Sequence, residues 1–286
     1  MSRRLPFFIE GCGAGSVARA HFSALASLAA ISEALDITDD SVTLQCPAAE
    51  RDAALAHINA ALRERGLVRG WRDETYAIVD PADGQTLLAR TERAASRFWG
   101  TLTFGAHCNG WVADAVGRPA ALWIAQRSLK KASDPGLFDN LIGGGVPFGQ
   151  TPAQTLVREG FEEAGLDRAT LAAARPGRVV RLRRDIPEGL QHEWLQVFDL
   201  ELPQGLQPIN QDGEVARFEL LPLADALALA AGDAMTVDAS LVTLDFALRH
   251  ALLPAPELSR LAAASASLWQ PHRADSAWTP PAPATA

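Results

Sequence analysis

The chain has 286 residues, of which 48% are hydrophobic and 21% are charged, a composition that suits a globular protein with a substantial core. Its formal net charge of −8 provides no basic surplus for a nucleic-acid backbone, so we expect no nucleic-acid partner. Three widely spaced cysteines fit neither a disulfide framework nor a zinc site, and no apolar run approaches the length of a membrane span. The N-terminal apolar run is too short for a signal peptide, so we expect a cytoplasmic protein without a membrane partner.

The first part of the chain predicts a small α+β domain over residues 1–98. Apolar residues at helical spacing predict its helices, and alternating runs bounded by turn residues predict its strands. The predicted helices cover residues 18–35, 48–65 and 91–99, and the predicted strands cover residues 42–46 and 71–79.

From residue 99 the pattern changes to strands, and residues 99–254 are predicted to form a second domain of mixed α and β structure. Its predicted strands cover residues 101–111, 120–126, 178–184, 193–202 and 214–221, and helices are predicted at 223–231 and 239–252. Residues 255–286 are predicted to form a C-terminal helix followed, beyond residue 269, by a disordered tail rich in Pro and Ala.

A helix with well-defined ends is predicted directly after the glycine-rich loop of the second domain. Thr151 is a common N-cap residue, Pro152 suits the first helical position, and Gln154 completes the pattern of a capping box. Gly165 supplies a C-terminal stop, because glycine adopts the left-handed conformation easily. The helix is therefore predicted to run from Pro152 to the residue before Gly165.

Three glutamates share one face of this predicted helix. Glu159, Glu162 and Glu163 stand at positions i, i+3 and i+4, so their carboxylates project towards a common point. The repulsion between them is relieved by solvation, by protonation or by a hard cation, and oxygen-only ligands favour Mg²⁺ or Mn²⁺. Arg158 lies four residues before Glu162 and is expected to orient its carboxylate through an ion pair.

Residues 144–166 resemble the Nudix box, whose pattern is G-x5-E-x7-R-E-U-x-E-E-x-G-U with U apolar. Gln150 stands where the first Glu belongs and Gly160 where an apolar residue belongs, while the remaining positions match. The resemblance implies a Nudix α/β/α sandwich with a mixed sheet, so that the whole chain is α+β. It also implies a hydrolase of phosphoanhydride bonds that depends on Mg²⁺ or Mn²⁺. Gly160 lowers helix propensity by about 1 kcal/mol relative to alanine, which predicts that another backbone packs closely there.

The same resemblance assigns roles to the charged residues. Glu159, Glu162 and Glu163 are the implied metal ligands, and Glu159 is our first candidate for the base that activates water. Arg158 is expected to orient the glutamates, and Glu214 is a candidate for an additional metal ligand or the base. All of them belong, on this interpretation, to a site that hydrolyses diphosphates.

Residues outside the helix are candidates for contact with the substrate, namely Gly144, Gly145, His107, Asn109 and Trp111. For the last three, which lie on a predicted strand, a place in the core or on a sheet face is an equally ordinary role. Lys130 and Lys131, just before the glycine loop, either meet a diphosphate or lie in a solvated loop.

Several segments outside the box resemble one Nudix subgroup, in which a separate N-terminal domain precedes the hydrolase domain. The matching segments are residues 69–76, 92–95, 106–111, 122–128, 212–215 and 244–250. This subgroup, often labelled thiamine-pyrophosphokinase-related, includes members implicated in hydrolysing damaged thiamine diphosphate to the monophosphate. The expected partner is therefore a small-molecule diphosphate, and the first 98 residues are expected to form either a substrate lid or a homodimer interface.

Two competing functions stay open at this point. A non-catalytic Nudix module that binds a nucleotide or acts as a sensor would explain Gln150 and the additional N-terminal domain. A member similar to isopentenyl-diphosphate isomerase would need a cysteine and a glutamate as an acid/base pair, for which Cys108 is the candidate cysteine.

Overall fold

The computed structural model describes residues 3–29 and 33–269, and the predicted tail beyond residue 269 lies outside them. The strands of the N-terminal region are β1 (Arg4–Ile9), β2 (Cys12–Ala18), β3 (Leu35–Ile37), β4 (Val42–Leu44), β5 (Thr75–Val79) and β6 (Leu87–Glu92). Its helices are α1 (Phe22–Ala29), α2 (Arg51–Glu64) and α3 (Arg93–Trp99).

The N-terminal region is built on a four-stranded sheet with the order β2-β1-β4-β3, and β5 and β6 form a separate hairpin. The β1–β2 hairpin lies outside the predicted elements, although Leu5, Phe7 and Ile9 alternate inward as a half-buried strand requires. The predicted helix at residues 18–35 is wrong in extent, because α1 begins at Phe22 and β3 begins at Leu35. The separate α+β region before the second domain is confirmed.

The strands of the second region are β7 (Thr103–Ala113), β8 (Pro119–Arg127), β9 (Phe138–Asp139), β10 (Ile142–Gly145), β11 (Arg175–Ile186), β12 (Gly189–Glu201) and β13 (Val215–Pro222). Its helices are α4 (Pro152–Ala164), α5 (Arg168–Leu171), α6 (Leu223–Ala230), α7 (Val237–Arg249) and α8 (Ala255–Ser265). The described strands form a sheet with the order β11-β12-β7-β8-β13, to which β10 adds on β7 and β9 adds on β8.

This sheet is mixed and is covered on both faces. β12 and β7 are parallel, whereas β7 and β8 are antiparallel. Ala106 and Cys108 of β7 share a core with Leu156 of α4, and Val197 of β12 packs with Val242 of α7. The predicted α/β/α sandwich with a mixed sheet is therefore confirmed.

The β5–β6 hairpin joins the two regions beside α4. The backbone N–H of Phe148 donates to the carbonyl of Thr75 at 2.8 Å, and Ala77 and Val79 pack into the core beneath α4. Trp99, at the end of α3, is fully buried in the N-terminal core against Phe7, with ring centroids 4.6 Å apart. These contacts bring α3 and the hairpin to the end of the sandwich where the glycine strand β10 lies. In the described part of the chain, every helix is too short or too polar to cross a bilayer.

Candidate functional site

The α4 helix has the ends that its sequence predicts. The Thr151 hydroxyl accepts from the Gln154 backbone at 3.2 Å, and the Gln154 side chain accepts from the Thr151 backbone at 2.8 Å. Gly165 closes the helix in the left-handed conformation, with φ 65°. At Gly160, an added Cβ would lie 2.6 Å from the side chain of Leu171, so the predicted backbone neighbour is wrong and a leucine side chain takes that place.

A cavity with a volume of about 460 Å³ lies where α4, β10 and the N-terminal region meet. From the second region it is lined by Arg158, Glu159 and Glu162, and by Gly144, Gly145, His107 and Glu214, all of which the sequence marks as candidates. From the N-terminal region it is lined by Arg72, Glu74, Tyr76, Arg93 and Arg97. The cavity thus brings most of the predicted site together and adds side chains from another domain.

The three box glutamates meet different partners around this cavity. Arg158 contacts both Glu159, at 2.9 Å, and Glu162, at 3.0 Å, through separate guanidinium nitrogens. Glu163 accepts from the backbone N–H of Gly143 at 2.9 Å and lies 3.5 Å from the ammonium of Lys131. One guanidinium therefore bridges Glu159 and Glu162, and Glu163 is tied to the glycine strand.

Burial sets the protonation of these carboxylates. It raises the pKa of Glu159, although the Arg158 guanidinium opposes the shift. It raises the pKa of Glu163 to about 8, and the neighbouring Glu159 charge adds to the shift while Lys131 opposes it. Two buried carboxylates on one helix face are thus costly to ionise unless additional positive charge is present.

The glycines of β10 are required by close approach. A Cβ at Gly144 would overlap the carboxylate of Glu159, and a Cβ at Gly145 would overlap the phenol of Tyr76. Both positions would therefore exclude any larger residue while these neighbours keep their places. Gly144 and Gly145 are therefore required because α4 and the N-terminal region both pack closely against strand β10.

Glu214 lies at the cavity in an ion-paired state. It contacts the Arg72 guanidinium at 2.9 Å and also pairs with the Lys131 ammonium. Burial acts to raise the pKa of Glu214, but the hydrogen bonds from Lys131 and Arg72 outweigh it and lower the pKa to about 2. Lys131 itself has a side chain only 9% exposed, so the solvated alternative is wrong for Lys131, whereas Lys130 is exposed.

Gln150, at the position of the first box glutamate, contacts the orienting arginine. Its amide oxygen accepts from the Thr155 hydroxyl at 3.1 Å and from Arg158 Nε at 3.5 Å. An amide therefore supplies an acceptor where the family pattern has a carboxylate.

The candidates on β7 divide between the cavity and the α7 side of the sheet. His107 is buried at the cavity, where its Nδ1 lies 3.1 Å from the amide oxygen of Asn140. Asn109 donates to Asp199 at 3.1 Å, and Trp111 packs near Phe246 of α7, so neither lines the cavity. This placement corrects the expectation that Asn109 and Trp111 contact substrate, because both lie in the packing beneath α7.

Cys108 is fully buried in the core beneath α4, and burial raises the pKa of its thiol well above the ordinary value. It does not line the cavity, so the structure provides no cysteine for an isomerase-like acid/base pair there. That competing function is therefore not supported.

Sequence reasoning missed the side chains of the opposite wall. Tyr76 is buried against Gly145, and Arg93 pairs with Glu74 at 2.7 Å. Arg97 follows Arg93 by four residues on α3, a spacing that would have predicted a shared helix face. Gln191 of β12 completes the wall, since its amide nitrogen donates to Glu193 at 3.1 Å and to Asp238 at 3.0 Å.

The carboxylate oxygens around the cavity are the type of ligand that a hard divalent cation prefers. Glu159, Glu162 and Glu214 present carboxylate oxygens to one cavity, and the buried Glu159 and Glu163 lack sufficient positive charge. Within residues 3–29 and 33–269, no group of three or more His, Cys, Asp and Glu side chains is gathered closely enough to hold a metal. Ion pairs with Arg158 and Lys131 hold these carboxylates instead, so metal binding would require some of the pairs to exchange.

Comparisons with known proteins match two parts of the chain. Residues 107–239 match the NUDIX domain, and residues 1–103 match a domain of unknown function, DUF4743. Nudix hydrolase 24, chloroplastic, of Arabidopsis thaliana is 37% identical over 205 residues, which cover 71% of this chain and 55% of that protein. Nudix hydrolase 20, chloroplastic, of the same plant is 37% identical over 207 residues, which cover 71% and 54% respectively.

The chain spans about half the length of these curated relatives. Among solved structures, DR0079 from Deinococcus radiodurans aligns with a TM-score of 0.46 at 24% identity, over 60% of this chain and 99% of that one. The box residues, the sandwich and the sequence matches lead to one conclusion: the chain carries a NUDIX domain with a DUF4743 domain before it, and it is similar to Nudix hydrolases over 71% of its length.

Proposed function

We propose that this chain is a pyrophosphohydrolase that uses Mg²⁺ or Mn²⁺ to cleave the phosphoanhydride bond of a small-molecule diphosphate. The observation that carries the proposal is the cavity beside the glycine strand that Glu159, Glu162 and Glu214 line, with Glu163 directly behind it. Glu159, Glu162 and Glu163 would hold the ion. When bound, the ion would neutralise phosphoryl charge and lower the pKa of the attacking water.

The chain's own residues prepare this site. Arg158 restrains the rotamers of Glu159 and Glu162, because one guanidinium contacts both carboxylates. The Gly143 N–H fixes one oxygen of Glu163. Glu159 is our candidate for accepting the proton of water, and Lys131 and Arg72 keep Glu214 ionised as a second acceptor.

For the substrate we propose a damaged form of thiamine diphosphate, which would be hydrolysed to the monophosphate. The support is the resemblance of six segments outside the box to the thiamine-related subgroup, together with the carboxylates of Glu193 and Asp238 at the cavity. Carboxylates accept hydrogen bonds from amino groups such as that of the thiamine pyrimidine. ADP-ribose, dinucleotides and oxidised nucleotides are the alternatives for the substrate.

The test is phosphate release from a panel of these compounds with Mg²⁺, with Mn²⁺ and with a chelator. Changing Glu159, Glu162 or Glu163 to Gln should lower turnover by about a thousandfold, corresponding to roughly 4 kcal/mol of lost transition-state stabilisation. Glu257→Gln, on the exposed first turn of α8, is the matched control and should leave turnover unchanged. Undiminished turnover in all three glutamate variants would refute the proposal, and binding without any hydrolysis would favour the non-catalytic module.

A further inference from the structure

Five arginines and one lysine line the cavity, and they differ in whether a carboxylate pairs with them. Among the described residues, five of them face carboxylates: Arg72 faces Glu214, Arg93 faces Glu74, Arg127 faces Asp139, Arg158 faces Glu159 and Glu162, and Lys131 faces Glu163 and Glu214. The sixth is Arg97, whose guanidinium has no ion pair or hydrogen bond to any residue in ranges 3–29 and 33–269. Arg97 is therefore the one cavity cation that has no carboxylate partner among the described residues.

Arg97 is held in place by its helix. Glu92 caps the N-terminus of α3 by accepting from the Ala94 backbone, and Gly100 closes the helix in the left-handed conformation. Phe98 and Trp99, which follow Arg97, are almost completely buried. The backbone that carries Arg97 is thus anchored in the N-terminal core and cannot shift without disrupting it.

The position of Arg97 relative to the glutamates follows from the geometry of α3. Arg93 lies near enough to Glu159 to oppose the rise in the pKa of that carboxyl. Arg97 stands four residues later, so its Cβ lies about 6 Å further along the same helix face. The two arginines therefore form a row that leads away from the glutamate end of the cavity.

A half-buried guanidinium without a carboxylate partner in the described part of the chain is well suited to an anion from outside the chain. Its planar fork matches the oxygens of a phosphoryl or carboxylate group, and charge-assisted hydrogen bonds of this kind are among the stronger ones in proteins. Glu74, Glu159, Glu162 and Glu214 are already paired with the other cations of the cavity. An arriving oxyanion would consequently meet Arg97 without displacing an existing partner.

We propose that Arg97 binds an oxyanion of the substrate, so that the DUF4743 domain supplies part of the substrate-binding site of the Nudix domain. The ligand class is a small molecule with two phosphoryl groups, one near Glu159 and the other within reach of Arg97. This inference rests on the proposed function, and it makes Arg97 a substrate-binding residue that acts on affinity.

The test is calorimetric binding of methylenediphosphonate, which cannot be hydrolysed, to the full chain in the presence of Mg²⁺. Arg97→Gln should raise the Kd about tenfold, as loss of a charge-assisted contact predicts, and Arg97→Lys should raise it less. Arg69→Gln, which removes an exposed arginine of the same domain that does not line the cavity, should leave the Kd unchanged. A Kd for Arg97→Gln within twofold of the unchanged protein would overturn the inference.

Two further readouts separate this inference from the proposed function. If Arg97→Gln does not fold, as judged by thermal unfolding, Arg97→Lys decides: a Kd raised severalfold supports the inference and an unchanged Kd overturns it. Hydrolysis of the diphosphate panel is measured independently. Binding that depends on Arg97, without hydrolysis of any compound, would support this inference and refute the proposed function. Hydrolysis of a diphosphate together with a Kd that does not change in the Arg97 variants would support the proposed function and overturn this inference.

Discussion

The two walls of the cavity use the same helical spacing with opposite charge. On α4, Glu159 lines the cavity and Glu163, four residues later, lies directly behind it, and both are engaged by cations of the Nudix region. On α3, Arg93 and Arg97 stand four residues apart, but only Arg93 has a carboxylate partner within the described chain. The carboxylates of the acidic wall thus have ion-pair partners within the chain, although burial still raises the pKa values of Glu159 and Glu163, whereas Arg97 on the basic wall has no such partner among the described residues. This difference divides the cavity into an end suited to a cation and an end suited to an anion.

His192 of β12 also lines the cavity, and its charge state decides whether the basic wall differs from the acidic wall through arginines alone. Burial lowers the pKa of His192 to about 4, and the Arg183 charge adds to the effect. With this lowered pKa, His192 is neutral at pH 7, and Arg93 and Arg97 alone supply the positive charge of the basic wall. The imidazole would have its ordinary pKa of 6.5 in the unfolded chain.

Between those two pKa values the unfolded chain binds the additional proton, so stability should fall as the pH drops from about 6.5 towards 4. The loss attributable to His192 is up to about 3 kcal/mol. Urea unfolding across this range should therefore show a weaker acid destabilisation for His192→Gln. His57→Gln, at an exposed histidine, is the control. Identical pH profiles for His192→Gln and the unchanged protein would show that His192 titrates normally and contributes charge to the wall.

The N-terminal region and the Nudix region meet where Tyr76 of β5 contacts Gly145 of β10. Gly145→Ala would place a Cβ in the phenol of Tyr76, and overpacking of this kind costs about 2 kcal/mol. Gly13→Ala, where an added Cβ finds only an ordinary contact with Phe8, should cost less. Removing the obstructing hydroxyl with Tyr76→Phe should recover part of the loss in the double variant. The measurement is the free energy of unfolding, and strictly additive effects would contradict a direct contact.

The acidic wall could be predicted from the sequence because its determinants are local. Thr151 and Gln154 specify the start of α4, and the spacing of its glutamates specifies their shared face. The basic wall depends on contacts between distant parts of the chain, such as that of Tyr76 with Gly145. Sequence spacing predicts which residues share a helix face, but it does not predict which domain that face meets.

The same limit explains the errors on β7. His107, Asn109 and Trp111 alternate with core residues as a strand predicts. Whether their face lines a cavity or packs against a helix depends on where α7 lies, and α7 covers Asn109 and Trp111. The sequence around Lys131 does not predict its burial, because its partner Glu214 lies 83 positions away in the chain.

The smallest expected effect comes from Gln150→Glu, which adds a carboxylate to the acidic wall alone. The new carboxylate would still accept from Thr155 and Arg158, so it would compete with Glu159 and Glu162 for one guanidinium. Partly exposed ion pairs of this type are worth up to about 1 kcal/mol, so the Mg²⁺ concentration for half-maximal hydrolysis should change less than about fivefold.

Gln154→Glu is the matched control for this change, because it adds the same charge to the exposed first turn of α4 and keeps the capping box. It should leave the Mg²⁺ dependence unaltered. A change of more than about tenfold for Gln150→Glu exceeds what redistribution of one ion pair supplies. Such a result would mean that position 150 takes part directly in holding the ion, and that the acidic wall of this chain is one ligand short of its family pattern.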